Sequence, residues 1–328
     1  MPRAWSLQSR PQGTPEPENF ALIDLPGGEL AEGEVRVANR WLSVDPYMRG
    51  RMNDVKSYVP PFQIGAAMEG GAVGEVIESR DPSLKPGDKV LHMLGWRDEA
   101  VGPAAAFNKL PGLEVPEQAF LGQLGMPGMT AYWGLLAIAD AKEGDTVFVS
   151  AAAGAVGSTV VQIAKARGMT VIGSAGGPDK AAWVRSLGAD AVIDYKAGPV
   201  VKALAGAAAK GIDVYFDNVG GEHLDAALAH ARPNARFAIC GMIDVYNDAK
   251  PTELKYLARL IGNRVRMQGF IVSDFMGRAG EFYRDMGALL ASGKLQAQET
   301  VHDGLESTPA AFMGLFSGGN TGKMLVRI

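Results

Sequence analysis

One cysteine and four histidines are all that this 328-residue sequence offers for thiol or imidazole chemistry. A lone Cys240 excludes an internal disulfide framework and suits a reducing cytoplasm. No CxxC pair is present for a structural zinc, and His92, His223, His230 and His302 are scattered. His223 and His230 fall in one helical stretch, seven residues and so roughly 10 Å of rise apart, too far to share one ion. These histidines read as packed or solvated side chains, and no metal is expected. The sequence also lacks a charge excess: 32 Lys and Arg face 36 Asp and Glu, a net charge of −4. A dedicated nucleic-acid binder would normally carry a strong basic surplus. No uninterrupted apolar run reaches the ~18 residues of a membrane span, and MPRAWSLQSRPQG has no apolar signal-peptide core. The expectation is a cytoplasmic protein with neither a membrane nor a nucleic acid as partner.

What is present is an ordinary globular composition, 47% hydrophobic and 21% charged, long enough for two domains. Its texture changes along the chain. Up to about residue 120, short apolar runs such as EVRVANRWLSVDP, GAVGEVIES and DKVLHMLG are bounded by Gly, Pro and Asp, and predict an irregular β-rich domain. From about residue 123, apolar strands alternate with helical patterns: TAYWGLLAIADA, DTVFVSA, GAVGSTVVQIAKARG, TVIGSA, KAAWVRSLG, ADAVIDY, VVKALAGAAA, IDVYFDNV, GEHLDAALAHA and ARFAICG. Such alternation predicts βαβ units and a mainly parallel, doubly wound sheet covered on both faces. The last residues, LESTPAAFMGLFSGGNTGKMLVRI, add a helix, a Gly-rich loop and an apolar strand. The Pro-rich SRPQGTPEPENF reads as a loop or extended arm.

The segment Val147-Phe148-Val149-Ser150-Ala151-Ala152-Ala153-Gly154-Ala155-Val156-Gly157 is the most informative. A buried strand runs into a glycine-containing turn that opens a helix, the context in which a glycine fingerprint signals a dinucleotide. Ala152 stands where the commoner pattern has its first glycine. Gly154 would let the main chain approach a pyrophosphate, Gly157 would allow close helix–strand packing, and the helix start would face the phosphates. A tight strand–helix turn without a ligand is the alternative. A reader of the ribose 2′-hydroxyl needs an Asp or Glu about 20 residues on. Here the second strand ends in Ile172-Gly173-Ser174-Ala175-Gly176-Gly177, with Lys180 just beyond. The missing carboxylate and the nearby cation favour NADP(H) over NAD(H), although Lys180 alone could be a solvated residue of a first helical turn.

With these motifs stand SRPQGTPEPENF (9–20), LSVDPYMRGRM (42–52), LGMPGMTAYWGL (124–135), DVYFDNVGGEHLDA (213–226), ICGMIDVYN (239–247) and AAFMGLFSGGNTGK (310–323). Together they resemble the zinc-independent branch of the medium-chain dehydrogenase/reductase superfamily. Within it they resemble the leukotriene B4 dehydrogenase/prostaglandin reductases, the plant double-bond reductases and the bacterial curcumin reductases. The resemblance implies a Rossmann domain (123–302) inserted into a discontinuous GroES-like catalytic domain (1–122 and 303–328). It further implies a homodimer and NADPH-dependent reduction of the double bond of a small α,β-unsaturated carbonyl compound.

Carried over by position, the turn Ala153, Gly154, Ala155, Val156 and Gly157 would hold the pyrophosphate, with Ser174 and Gly176 at the next strand end. Lys180 and Tyr195 would hold the 2′-phosphate, Asn218 would sit by the adenosine side, and Asn320 would reach the cofactor from the C-terminal segment. Met126 and Thr130 would line the nicotinamide end, above a wall of Cys240, Gly241, Phe270, Ile271 and Val272. Tyr246 and Tyr58 would face the substrate carbonyl. Plainer readings exist for several: Tyr195 as a strand-end aromatic, Asn218 before Gly220-Gly221 as turn chemistry, Tyr58 as surface decoration. Asp45 in SVDPYMRG is expected to serve the fold rather than a metal. Hydride addition to the β-carbon places charge on the carbonyl oxygen, and a tyrosine O–H suits its stabilisation. The competing readings are a quinone reductase of the zeta-crystallin type and a non-catalytic NADPH-binding sensor.

Overall fold

The computed structural model of the chain describes residues 1–247 and 252–328. These form two compact units, Met1–Leu121 with Glu299–Ile328, and Gly122–Gln298. The first unit opens with an antiparallel ribbon of β1 (Arg3–Leu7) and β2 (Phe20–Asp24). It continues with β3 (Glu34–Ser43), the one-turn helix α1 (Met48–Arg51), β4 (Ala72–Ser79), β5 (Lys89–His92), β6 (Glu99–Pro103) and β7 (Asn108–Lys109). Val35, Val37 and Asn39 alternate inward along β3, the period-2 pattern that makes EVRVANRWLS a strand.

The second unit starts with α2 (Met126–Trp133), which runs into a π turn at Gly134–Ile138. Then follow β8 (Thr146–Val149), α3 (Ala155–Ala166), β9 (Thr170–Ala175), α4 (Pro178–Ser186), β10 (Ala191–Asp194), α5 (Val200–Ala207), β11 (Ile212–Asp217) and α6 (Gly221–Ala229). It ends with β12 (Ala231–Ile239), α7 (Arg259–Gly262), β13 (Arg266–Gly269) and α8 (Ala279–Ala291). Its six strands pair in parallel in the order β10-β9-β8-β11-β12-β13. That order reverses between β8 and β11, the topological switch point where open α/β sheets bind ligands. Phe148, Tyr215, Phe237 and Leu224 are wholly or almost wholly buried in the core of this sheet.

The chain then returns to the first unit with β14 (Glu299–Asp303), α9 (Thr308–Gly314) and β15 (Lys323–Arg327). β15 pairs antiparallel with β3 and parallel with β14. The boundary between the two compact units falls between Gln298 and Glu299, and the whole of β14 is hydrogen-bonded to β15.

Three charged side chains hold the first unit together from inside. Lys323 is buried and donates from Nζ to Asp45 Oδ1 at 3.1 Å, Val44 O at 3.0 Å and Met324 O at 2.8 Å. The other oxygen of Asp45 accepts from Ser43 Oγ, so Asp45 has a fold role. A buried ion pair of this kind is tolerable only when both partners are hydrogen-bonded. Arg49, also buried, donates to Gly13 O at 2.8 Å and Asn53 Oδ1 at 2.8 Å. The Pro-rich arm is thus hooked to the DPYMRG turn.

Candidate active site

The switch point is built by main-chain geometry first. β8 passes through Ser150 into the turn at 151–154, and α3 begins at Ala155. A Cβ added to Gly157 would lie 2.3 Å from Ala151 O, so only glycine lets the helix start this close to the strand. The first N–H groups of a helix have no carbonyl a turn earlier to bond, and they carry the positive end of the helix dipole. Ala155, Val156 and Gly157 supply those groups here.

Opposite this turn, the end of β11 is held by a buried network. Asp217 Oδ1 accepts from Tyr215 Oη at 2.7 Å, Val219 N–H at 2.9 Å and Gly220 N–H at 2.8 Å. Burial pushes its carboxyl up from the usual range, opposed by these hydrogen bonds. Asp217 Oδ2 has no partner among the described residues. Asn218 clips the two strands together, donating from Nδ2 to Ser150 O at 2.8 Å and from its main chain to Ser150 Oγ at 2.9 Å. The third strand end joins through Cys240 N–H and Gly241 N–H, which donate to Asp217 O at 2.9 and 3.1 Å. Burial, then the Asp217 charge, pushes the Cys240 thiol up to about 12. Tyr246 folds back over this corner, where its Oη accepts from Met242 N–H at 3.4 Å. Ala153–Gly157, Asn218, Cys240, Gly241 and Tyr246 are therefore one constellation.

A second cluster lies at the end of β9. Ser174 is wholly buried and its Oγ shares a 2.9 Å hydrogen bond with His223 Nε2, so its side chain serves the α6 contact rather than offering a hydroxyl to a ligand. The His223 ring meets Tyr195 edge to face, with centroids 5.4 Å apart. Burial holds His223 down to about 4, so the ring is neutral near pH 7. Gly176 sits beneath Tyr195: an added Cβ would come 2.6 Å from Tyr195 Oη. Lys180 is half-buried in the first turn of α4, and burial, then the charge of Lys196, lowers its basicity.

The remaining residues stand apart from these clusters. Thr130 Oγ1 donates to Met126 O at 2.8 Å within α2, which occupies its hydroxyl. Phe270 packs edge to face on Phe216, centroids 6.3 Å apart, just before Asp217. Ile271 and Val272 follow it, both half-buried. Tyr58 and Asn320 belong to the first unit; Tyr58 is exposed, and Asn320 Nδ2 donates to Gly322 O at 2.8 Å. Sequence reasoning missed Asp217, His223 and Lys196. For Asp217 the signal was an acid closing a buried strand; the contacts of His223 and Lys196 arise only from the pairing of distant segments.

Residues 3–110 match the family described as the N-terminal domain of oxidoreductase, and residues 155–292 the family described as zinc-binding dehydrogenase. The NADPH-dependent curcumin reductase of Escherichia coli is 43% identical over 99% of this chain and 96% of its own length. The chain belongs to the zinc-independent, double-bond reductase family of medium-chain dehydrogenases/reductases. Another relative, the NADP(+)-dependent 2-alkenal reductase of Nicotiana tabacum, is 42% identical over 90% of this chain and 87% of its own. The crystal structure of CurA from Vibrio vulnificus in complex with NADPH superposes with a TM-score of 0.94 at 44% identity, covering 99% and 98% of the two chains. Among the described residues, no three His, Cys, Asp or Glu side chains stand together as a metal site. For a dinucleotide the residues do fit. The Gly157 approach opens a helix start towards the switch point, and Asp217 at the end of β11 keeps one buried oxygen, Oδ2, without a partner among the described residues.

Proposed function

We propose that this chain uses NADPH to reduce the carbon–carbon double bond of α,β-unsaturated aldehydes and ketones. The observation that carries the reading is the near full-length similarity to curcumin and 2-alkenal reductases. The end of β9 supports the choice of cofactor, since it has no ribose-reading carboxylate, Lys180 follows it in α4, and Tyr195 lies over its Gly176 from the end of β10. When bound, NADPH supplies the hydride that the β-carbon of the enone receives.

The chain's own residues bind, orient and polarise. The start of α3, from Ala153 to Gly157, holds the pyrophosphate, and Lys180 and Tyr195 hold the 2′-phosphate. Asn218 fixes the two central strand ends, so the crevice keeps one shape. Cys240, Gly241 and Phe270–Val272 form the wall beneath the nicotinamide, with Met126 and Thr130 beside it. Tyr246 donates its O–H to the carbonyl oxygen, where negative charge develops as the β-carbon is reduced.

The finer reading is a cytoplasmic homodimer. Among the described residues no helix is long and apolar enough to cross a membrane. β13 is the last strand of its sheet, all four of its residues are exposed, and Ile261 just before it is 85% exposed. An open edge beside exposed apolar side chains suits pairing with a second copy. Sedimentation as a monomer at micromolar concentration would remove that part.

A product-identified screen of NADPH oxidation over alkenals, enones and quinones tests the activity. Saturated aldehydes and ketones are expected. Turnover of quinones far above every enone would favour the quinone reductase reading, and tight NADPH binding without turnover of any of them the sensor reading.

A further inference from the structure

We propose that Lys196 joins Lys180 as a second cation of the 2′-phosphate cradle and helps set the preference for NADPH over NADH. This deepens, and rests on, the NADPH reading above. β10 ends at Asp194, and the chain turns so that Tyr195 and Lys196 come over the end of β9, its partner in the sheet. A Cβ on Gly176 would meet Tyr195 Oη at 2.6 Å and Lys196 Cε at 3.0 Å. Both side chains thus lie over the same glycine, two positions before α4 starts. The turn is pinned rather than loose. Asp194 Oδ1 accepts from Gly177 N–H at 2.9 Å and Lys196 N–H at 3.0 Å, and Tyr195 N–H donates to Ala175 O at 3.3 Å.

Lys180 stands in the first turn of α4, four residues beyond Gly176. The two lysines are close enough that Lys196 contributes, after burial, to lowering the basicity of Lys180. Two ammonium groups near a helix N-terminus together favour an anion. Of the carboxylates nearby, Asp194 is held below the ordinary carboxylate range by the Gly177 and Lys196 main-chain N–H groups and then by the Lys196 charge. Asp194 commits Oδ1 to two main-chain N–H groups, and Asp179 is exposed in the first turn of α4. A phosphate monoester, doubly charged near neutral pH and rich in acceptors, has the matching chemistry, and the neutral ribose diol of NADH does not. Tyr195 Oη adds a neutral donor to the cradle.

The test is calorimetric titration of the intact protein with 2′,5′-ADP and with 5′-AMP, comparing wild type with Lys196→Ala and Lys196→Arg. Wild type is expected to bind 2′,5′-ADP far more tightly than 5′-AMP. Lys196→Ala should weaken 2′,5′-ADP by about tenfold, the low end for a charge-assisted hydrogen bond, and leave 5′-AMP within about twofold. Lys196→Arg should restore most of the loss. An equal change for both ligands, or none for either, overturns the role of Lys196 while the NADPH reading stands. A wild type that binds both equally overturns the NADPH reading itself, and the cradle with it.

Discussion

His223 is a buried residue through which acid should loosen the nucleotide-binding unit. It is 6% exposed, stacked near Phe148, edge to face with Tyr195 and hydrogen-bonded to Ser174. Burial holds it down to about 4 against an ordinary 6.5, with nearby Glu222 opposing the shift. The folded value lies below the unfolded one. Its stabilising contribution is therefore whole above about pH 6.5 and is lost as the pH falls towards 4. At ~1.36 kcal/mol per pH unit, keeping the ring neutral costs about 2 kcal/mol of stability by pH 5 relative to pH 6.5 and above. Hydrogen exchange of the β9 and α6 amides, followed from pH 7.5 to 4.5, reads that local loss. His223→Asn keeps a polar partner for Ser174 but cannot titrate in this range, so its pH dependence should be flatter by about the same amount. His92, held by burial down to about 3, is present in both proteins and cancels. Because His223 braces both Ser174 and Tyr195, the KM for NADPH should rise over the same range in wild type. Identical pH profiles for the two proteins, or an imidazole titrating near 6.5, would refute the reasoning.

Three further outcomes follow from the geometry. Tyr246→Phe should lower kcat by roughly 10²–10³, the effect of losing one oxyanion donor, with the KM for NADPH little changed; unchanged turnover would move the role elsewhere. Gly157→Ala places a Cβ 2.3 Å from Ala151 O, so NADPH binding should be lost and stability should fall by about 1–3 kcal/mol in a thermal melt. Wild-type affinity in that variant would contradict the tight helix start. Cys240, with its thiol at about 12, should react with iodoacetamide at pH 8 about a thousandfold more slowly than in the unfolded chain, and rapid labelling would show that burial does not protect it.

The doubly wound unit was legible in the sequence because buried parallel strands are short apolar runs. TVFV, TVIGSA, AVID and IDVYFD all become strands of the sheet. β13 was not legible: RMQG is exposed throughout, so no hydrophobic period marks it, and only pairing with β12 makes it a strand. The glycine turn could be read locally because strand, turn and helix are contiguous. Lys196 and His223 could not, since the first meets Gly176 only through the pairing of β10 with β9. The second meets Ser174 across 49 residues. The hydroxyl of Ser174, placed by position at the end of β9, faces His223, a contact that position in the sequence does not reveal. The hold of Arg49 on the Pro-rich arm, 36 residues away, was equally hidden, because a guanidinium's carbonyl partners leave no trace in composition.

The central claim is hydride delivery to the β-carbon of an enone. Its most direct test is one turnover of an α,β-unsaturated ketone with NADPH deuterated at C4 of the nicotinamide, analysed by NMR of the product. The account predicts a saturated ketone with deuterium at the β-carbon. An allylic alcohol with deuterium on the carbinol carbon and the double bond intact would contradict it.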